Sequence, residues 1–310
     1  MTGTVLINIF AGVPNPVWQL ESADADKFSH LILSYPSLPA PLDHAEFTRD
    51  TIDVLGRPRS GFRGFELTLQ DDSGRSALYQ TFNRLIFETE TEKLLQDTAD
   101  VALEKQLYLT APADVMKRLD GLTYEALTAP GDETLIDGLQ GPDVHLECDS
   151  SPTYFGNGDP MNEKNPLHGI NNCYNYATFA ANKSVSSGAV PGVKDKLLSD
   201  LNEVTLKAAL IHDKLEFVGM KLPDACPNDG DAHYVVVVLR HVPSSTAVKD
   251  FHCIRLDQSG KWSHKDGKGP VTNVDNAGKE MTDLTKAKFS FTPKLMGVYR
   301  ARYSKRSLVD

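Results

Sequence analysis

The segment Asn171-Asn172-Cys173-Tyr174-Asn175-Tyr176-Ala177 places polar capping residues directly before a cysteine and helix-compatible residues after it. That order predicts Cys173 in the first turn of a helix over 173–182. Unpaired amide N–H groups and the helix dipole favour an anion there, lowering a thiol from about 8.5 toward values where thiolate exists at neutral pH. A thiolate nucleophile needs a base, and His233 opens the run His233-Tyr234-Val235-Val236-Val237-Val238-Leu239. Four consecutive valines between turn residues predict a buried strand, whose first side chain can project onto a helix N-terminus.

A second strand is predicted over 251–256, after a polar loop at 243–250, so the two strands make an antiparallel hairpin. With the loop centred near 245, position 233 pairs with about 257. That residue is Asp257, a group able to orient an imidazole. A register slip of one residue would present the other face and make His252 the orienter instead. Each of these residues also has a structural reading. Cysteine is among the most buried residue types. Asp257, followed by Gln258-Ser259-Gly260, suits a turn. His264 in Trp262-Ser263-His264-Lys265 reads as a loop residue or a substrate contact.

Helix-borne cysteine, strand-start histidine and a polar residue closing the next strand resemble the papain-like thiol hydrolases, including their bacterial cell-wall amidopeptidase branch. The resemblance covers residues 165 to 265. It rests on Asn172-Cys173-Tyr174, His233-Tyr234-Val235 and Asp257 followed by Trp262. It implies nucleophile, base and orienter at Cys173, His233 and Asp257, a peptide or amide substrate, and no cofactor. The glutamine that such enzymes carry ahead of the nucleophile is missing from Asn165-Pro166-Leu167-His168-Gly169. The Cys173 amide with Asn171, Asn172 or His168 would take its place in stabilising an oxyanion. Trp262 and His264 would contact substrate. Acyl-enzyme formation serves hydrolysis and transfer alike, so both remain open. The alternative is a non-catalytic binding protein in which Trp18, Trp262, Tyr174 and Tyr176 line a recognition surface around an inert Cys173.

Other chemistries fit less well. Cys226, His233, His252, Cys253 and His264 lack the close ligand pairs of a zinc site. No glycine pattern cradles phosphate, and no serine sits in a nucleophile elbow. A net charge of −10 argues against a phosphate-tracking, nucleic-acid-binding surface. No apolar run approaches the roughly 20 residues of a membrane span. Met1 to Phe10 lacks the features of a secretory signal. Four scattered cysteines read as thiols of a reducing, cytoplasmic compartment, and non-classical export would look the same.

The elements that position these residues form an α+β pattern, helices first and sheet later within the C-terminal half. At 310 residues the chain predicts two domains, 1–140 and 141–310, joined where Gly, Pro, Asp and Asn thicken between Thr128 and Pro166. In the first domain, strands are expected at 5–10, 61–69 and 78–86. Helices are expected after Ser22 as N-cap, over 91–107 or only its first half, and over 113–119. In the second, a helix is expected near 194–211, and loops with short strands fill 262–302. The N-terminal part, with Pro14-Asn15-Pro16, Trp18 and Gly61-Phe62-Arg63-Gly64-Phe65, resembles uncharacterised bacterial proteins and implies no activity.

Overall fold

The computed structural model describes residues 1–9, 15–38, 62–119, 122–129, 134–141, 146–154, 171–178, 190–192, 201–228, 230–241, 249–267 and 271–302. These residues carry both helices and antiparallel sheets, an α+β chain. The chain divides into two compact units, the first holding the described residues of 1–9 and 15–129 and the second those from 134 onward.

The first unit is built on a seven-stranded antiparallel sheet. Its strands are β1 (Thr2–Ile7), β2 (Val17–Leu20), β3 (Ser37–Leu38), β4 (Phe65–Gln70), β5 (Ser76–Phe82), β6 (Leu85–Glu88) and β7 (Lys93–Gln96), in the order β2-β1-β4-β5-β6-β7-β3. Alternation explains the central strands: Phe65, Leu67 and Leu69 of β4 are buried while Glu66 and Thr68 are not. Helix α1 (Ser22–Leu33) buries Ala25, Phe28 and Ile32. Glu21, not Ser22, occupies its N-cap, and no side chain caps it.

The helix expected over 91–107 is instead strand β7 followed by α2 (Leu103–Leu109). Leu94 and Leu95 are both buried in the pairing of β7 with β6, a tertiary gain that outweighs local helix preference. Asp97 makes the break: its carboxylate accepts from the amides of Ala99 (3.0 Å) and Leu103 (2.7 Å). Helix α3 (Ala113–Arg118) falls where expected, and α4 (Tyr124–Thr128), capped by the Thr123 side chain, was not foreseen.

Gly64 enters β4 at φ +92, and a β-carbon there would lie 1.6 Å from the Thr81 carbonyl oxygen. Backbone cannot yield as a side chain could. Gly64→Ala is therefore expected to destabilise the first unit by about 2 kcal/mol or more. Urea unfolding followed by Trp18 emission in a Trp262→Phe background measures this, and an unchanged midpoint would refute the packing described.

The second unit holds a six-stranded antiparallel sheet. Its strands are β8 (Glu216–Gly219), β9 (Ala232–His241), β10 (Lys249–Leu256), β11 (Trp262–Lys265), β12 (Val271–Thr272) and β13 (Thr292–Arg302), in the order β12-β11-β10-β9-β13-β8. Helices α5 (Cys173–Ala177) and α6 (Glu203–His212) belong to this unit. Val235 to Val238 are buried throughout because two apolar layers cover β9. Val235, Val237, Phe251 and Cys253 pack with Cys173 and Tyr174 of α5 and Leu206 and Leu210 of α6. Val236, Val238, Ile254 and Trp262 pack with Met281, Leu284, Phe289 and Phe291.

The β9–β10 hairpin pairs Lys249 with His241 and Arg255 with Val235, the register centred on residue 245. The stretch expected to be loops with short strands contains instead β13, eleven residues long and seated between β9 and β8. Cys148 and Cys226, expected as thiols, form a disulfide across 78 residues, and Cys173 and Cys253 are thiols.

Candidate functional site

Cys173 stands at the first position of α5, as the capping pattern requires, but its surroundings disfavour a thiolate. Asn172 fills the anion position at the helix start. Its side-chain oxygen accepts from the amides of Tyr174 (3.0 Å) and Asn175 (3.1 Å), and the Asn175 side chain accepts from the Asn172 amide, completing a capping box. A five-residue helix also has few aligned peptide dipoles. The sulfur is fully buried and lies 3.9 Å from the Phe251 carbonyl oxygen. Burial first, and then the neighbouring Cys253 sulfur, push the Cys173 thiol well above its ordinary value. The expected lowering is thus reversed: desolvation exceeds whatever the short helix contributes.

His233 projects from the start of β9 toward α5, as expected, and is fully buried. Its Nε2 donates to the Ala177 carbonyl oxygen at 2.7 Å, four residues along the helix from Cys173. A carbonyl only accepts, so the proton sits on Nε2, and that nitrogen cannot act as the base.

Extending the Arg255–Val235 pairing by two residues sets Asp257 across from His233. Its Oδ1 nevertheless accepts from Arg255 Nε at 2.9 Å, and its backbone closes the turn to Lys261 and Gly260. His252, the alternative orienter, points to the opposite sheet face and lies 2.8 Å from His264, Nε2 to Nδ1. Alternation makes this unavoidable, because residues 251, 253 and 255 face α5. Trp262 and His264 are buried, Trp262 in the apolar layer away from α5 and His264 against Phe289 of that layer. Asn171 and Asn172 are buried beside Cys173, and His168 lies outside the described residues.

Around α5 the structure assembles instead a buried polar layer. Arg255, 1% exposed, donates to the Tyr176 hydroxyl (2.7 Å), the Tyr176 carbonyl (3.3 Å) and Asp257. Its guanidinium stacks 4.0 Å from the Tyr176 ring centre, and the Tyr176 hydroxyl meets Ser263 Oγ at 2.7 Å. Lys265 is fully buried and donates to the Gly267 carbonyl at 2.8 Å. Arg255, Ser263 and Lys265 were missed in the sequence, although the hairpin register places Arg255 on the same face as His233. Chemically, this layer locks a helix to a sheet by charge-assisted bonds. Among the described residues no three His, Cys, Asp or Glu side chains gather as a metal site, and Cys226 is consumed in the disulfide.

No family model matches the sequence, and no solved structure matches it. Insoluble matrix shell protein 1 of Ruditapes philippinarum is 31% identical over 119 residues, which are 38% of this chain and 70% of that protein. By that identity over most of the relative's length, the chain belongs to the family of insoluble matrix shell protein 1.

Proposed function

We propose that this chain is a non-catalytic structural or binding protein of a matrix outside the reducing cytosol, with Cys173 as an inert packing residue. The observation that carries the reading is the engagement of all three candidate catalytic groups by the scaffold. The Cys173 thiol is buried and raised, His233 donates to Ala177, and Asp257 neutralises Arg255. The Cys148–Cys226 disulfide supports an oxidising location, where such bonds persist. The relative named an insoluble matrix shell protein supports a matrix role.

A second reading, a papain-like thiol hydrolase or acyl transferase, draws support from one arrangement. Cys173 begins a helix packed on the sheet face that also carries His233 and Asp257. Alkylation separates the two. With iodoacetamide at pH 6, Cys173 is expected to react as slowly as Cys253, both labelling fully only after denaturation. Rapid, selective labelling of Cys173 that is lost in His233→Ala would replace the structural reading with the enzymatic one.

A further inference from the structure

The first unit contains a cleft of about 650 Å³, within the range of small-ligand sites. The rings of Phe62, Phe82 and Tyr124 form part of its lining, as does Glu104 of α2. Glu104 is 2% exposed. One carboxylate oxygen, Oε2, accepts from the Tyr124 hydroxyl at 2.8 Å. The other, Oε1, is buried without a hydrogen-bond partner among the described residues. The Thr81 hydroxyl and Asn83 amide lie near enough to the carboxylate to favour its charged form. Glu104 lines the cleft, and a buried acceptor without a hydrogen-bond partner carries a desolvation cost that a donor-bearing ligand would remove.

Two observations describe that ligand. The cleft is lined by three carboxylates, Asp100, Glu104 and Glu125, against two cations, Arg84 and Lys105. Lys105 is already paired with Glu125 at 2.5 Å, and Arg84 donates to the Ala99 carbonyl at 2.8 Å. Three carboxylates against two cations leave a net negative charge when Glu104 is ionised, while the aromatic rings offer an apolar wall whose faces attract cations. One turn that lines the cleft is built from residues in the left-handed region. Asn83 and Arg84 form the two-residue turn between β5 and β6, both at positive φ (49 and 66). Arginine is disfavoured in that conformation, and strained turns of this kind concentrate at ligand sites. The Arg84 carbonyl is pinned by the Asp97 amide (2.8 Å) and Gln96 Nε2 (3.1 Å).

We propose that this cleft binds an organic ammonium group on an apolar stem, of the lysine side-chain kind, with the ammonium paired to the Glu104 carboxylate. Binding then requires Glu104 ionised. Burial raises its carboxyl to about 7, with Asp97 adding to the rise and Tyr124, Thr81 and the Asn83 amide opposing it. Arg84, Lys105, Asp100 and Glu125 are the remaining charged groups of the cleft. Affinity is therefore full above pH 7 and falls as the acid takes up its proton.

The test is a titration of the full chain, carrying ¹³C-labelled glutamate carboxyls, with n-butylammonium and with n-butanol as its uncharged match. The expected result is saturable binding of n-butylammonium at pH 8, with the Glu104 resonance perturbed. Below pH 7, affinity should weaken about ten-fold per pH unit, as for one required ionisation, and n-butanol should bind at least about ten-fold more weakly. Glu104→Gln should lose about ten-fold or more at pH 8 while retaining cooperative unfolding. Equal binding of n-butanol, pH-independent binding, or no binding to the wild-type protein would each overturn the proposal, whatever the variant's stability.

Discussion

Opening the Cys148–Cys226 disulfide, by dithiothreitol or by Cys148→Ala with Cys226→Ala, is expected to lower the stability of the second unit by roughly 4 kcal/mol. The bond spans 78 residues, and loop-closure entropy of a chain that long, released in the unfolded state, accounts for that magnitude. Cys148 is also buried in the apolar layer with Trp262 and Phe289, so the alanine pair loses some packing besides. Urea unfolding monitored through Trp262 in a Trp18→Phe background, with and without reductant, reads the difference. A midpoint indifferent to reductant would show that the two sulfurs are not joined, and would remove the support they give to an oxidising location.

Asp257→Ala is expected to cost about 3–5 kcal/mol, since it strands the Arg255 guanidinium, 1% exposed, without its counter-charge. The Tyr176 hydroxyl and carbonyl would still accept from Arg255, but neither carries charge. The matching test replaces both partners with apolar residues, Arg255→Met with Asp257→Leu. This pair should recover much of the loss, because no buried charge is then left unpaired. An Asp257 whose sole task were to orient His233 would behave differently: its alanine variant would unfold near the wild-type urea concentration. The equilibrium midpoint thus distinguishes a charge partner from a catalytic orienter without any substrate.

Much of the second unit was legible in its residues. Asn172 ahead of Cys173 announces a helix start, and the polar loop between the valine run and Phe251–Leu256 sets the hairpin register, down to the pairing centred on residue 245. The identity of each side chain's partner was not legible. The same Asn172 that marks the helix start also occupies the amides a thiolate would have used. The same alternation that brings Asp257 to the face of His233 brings Arg255 there too, and the nearer cation takes the carboxylate. β13 was hidden by Pro293 and Gly297, residues that ordinarily argue against a central strand. The register shift between Leu295 and Gly297 shows how the strand accommodates its glycine. The disulfide gave no local signal, since its cysteines lie far apart in loop-like sequence. In the first unit, Leu94 and Leu95 fit a helix as well as a strand, and pairing with β6 decided the matter.

The seat of β13 between β9 and β8 bears on how the chain folds as it is made. β8 joins the sheet through β13, and one whole edge of β9 is covered only by residues from 292 onward. While synthesis runs from residue 256 to residue 292, the valine-rich β9 has β10 on one side and an exposed hydrogen-bonding edge on the other. Such an edge invites pairing with another nascent chain. Assembly of this unit therefore waits for β13 to be released, and chains ending before residue 292 are expected to accumulate as aggregates rather than as smaller folded proteins.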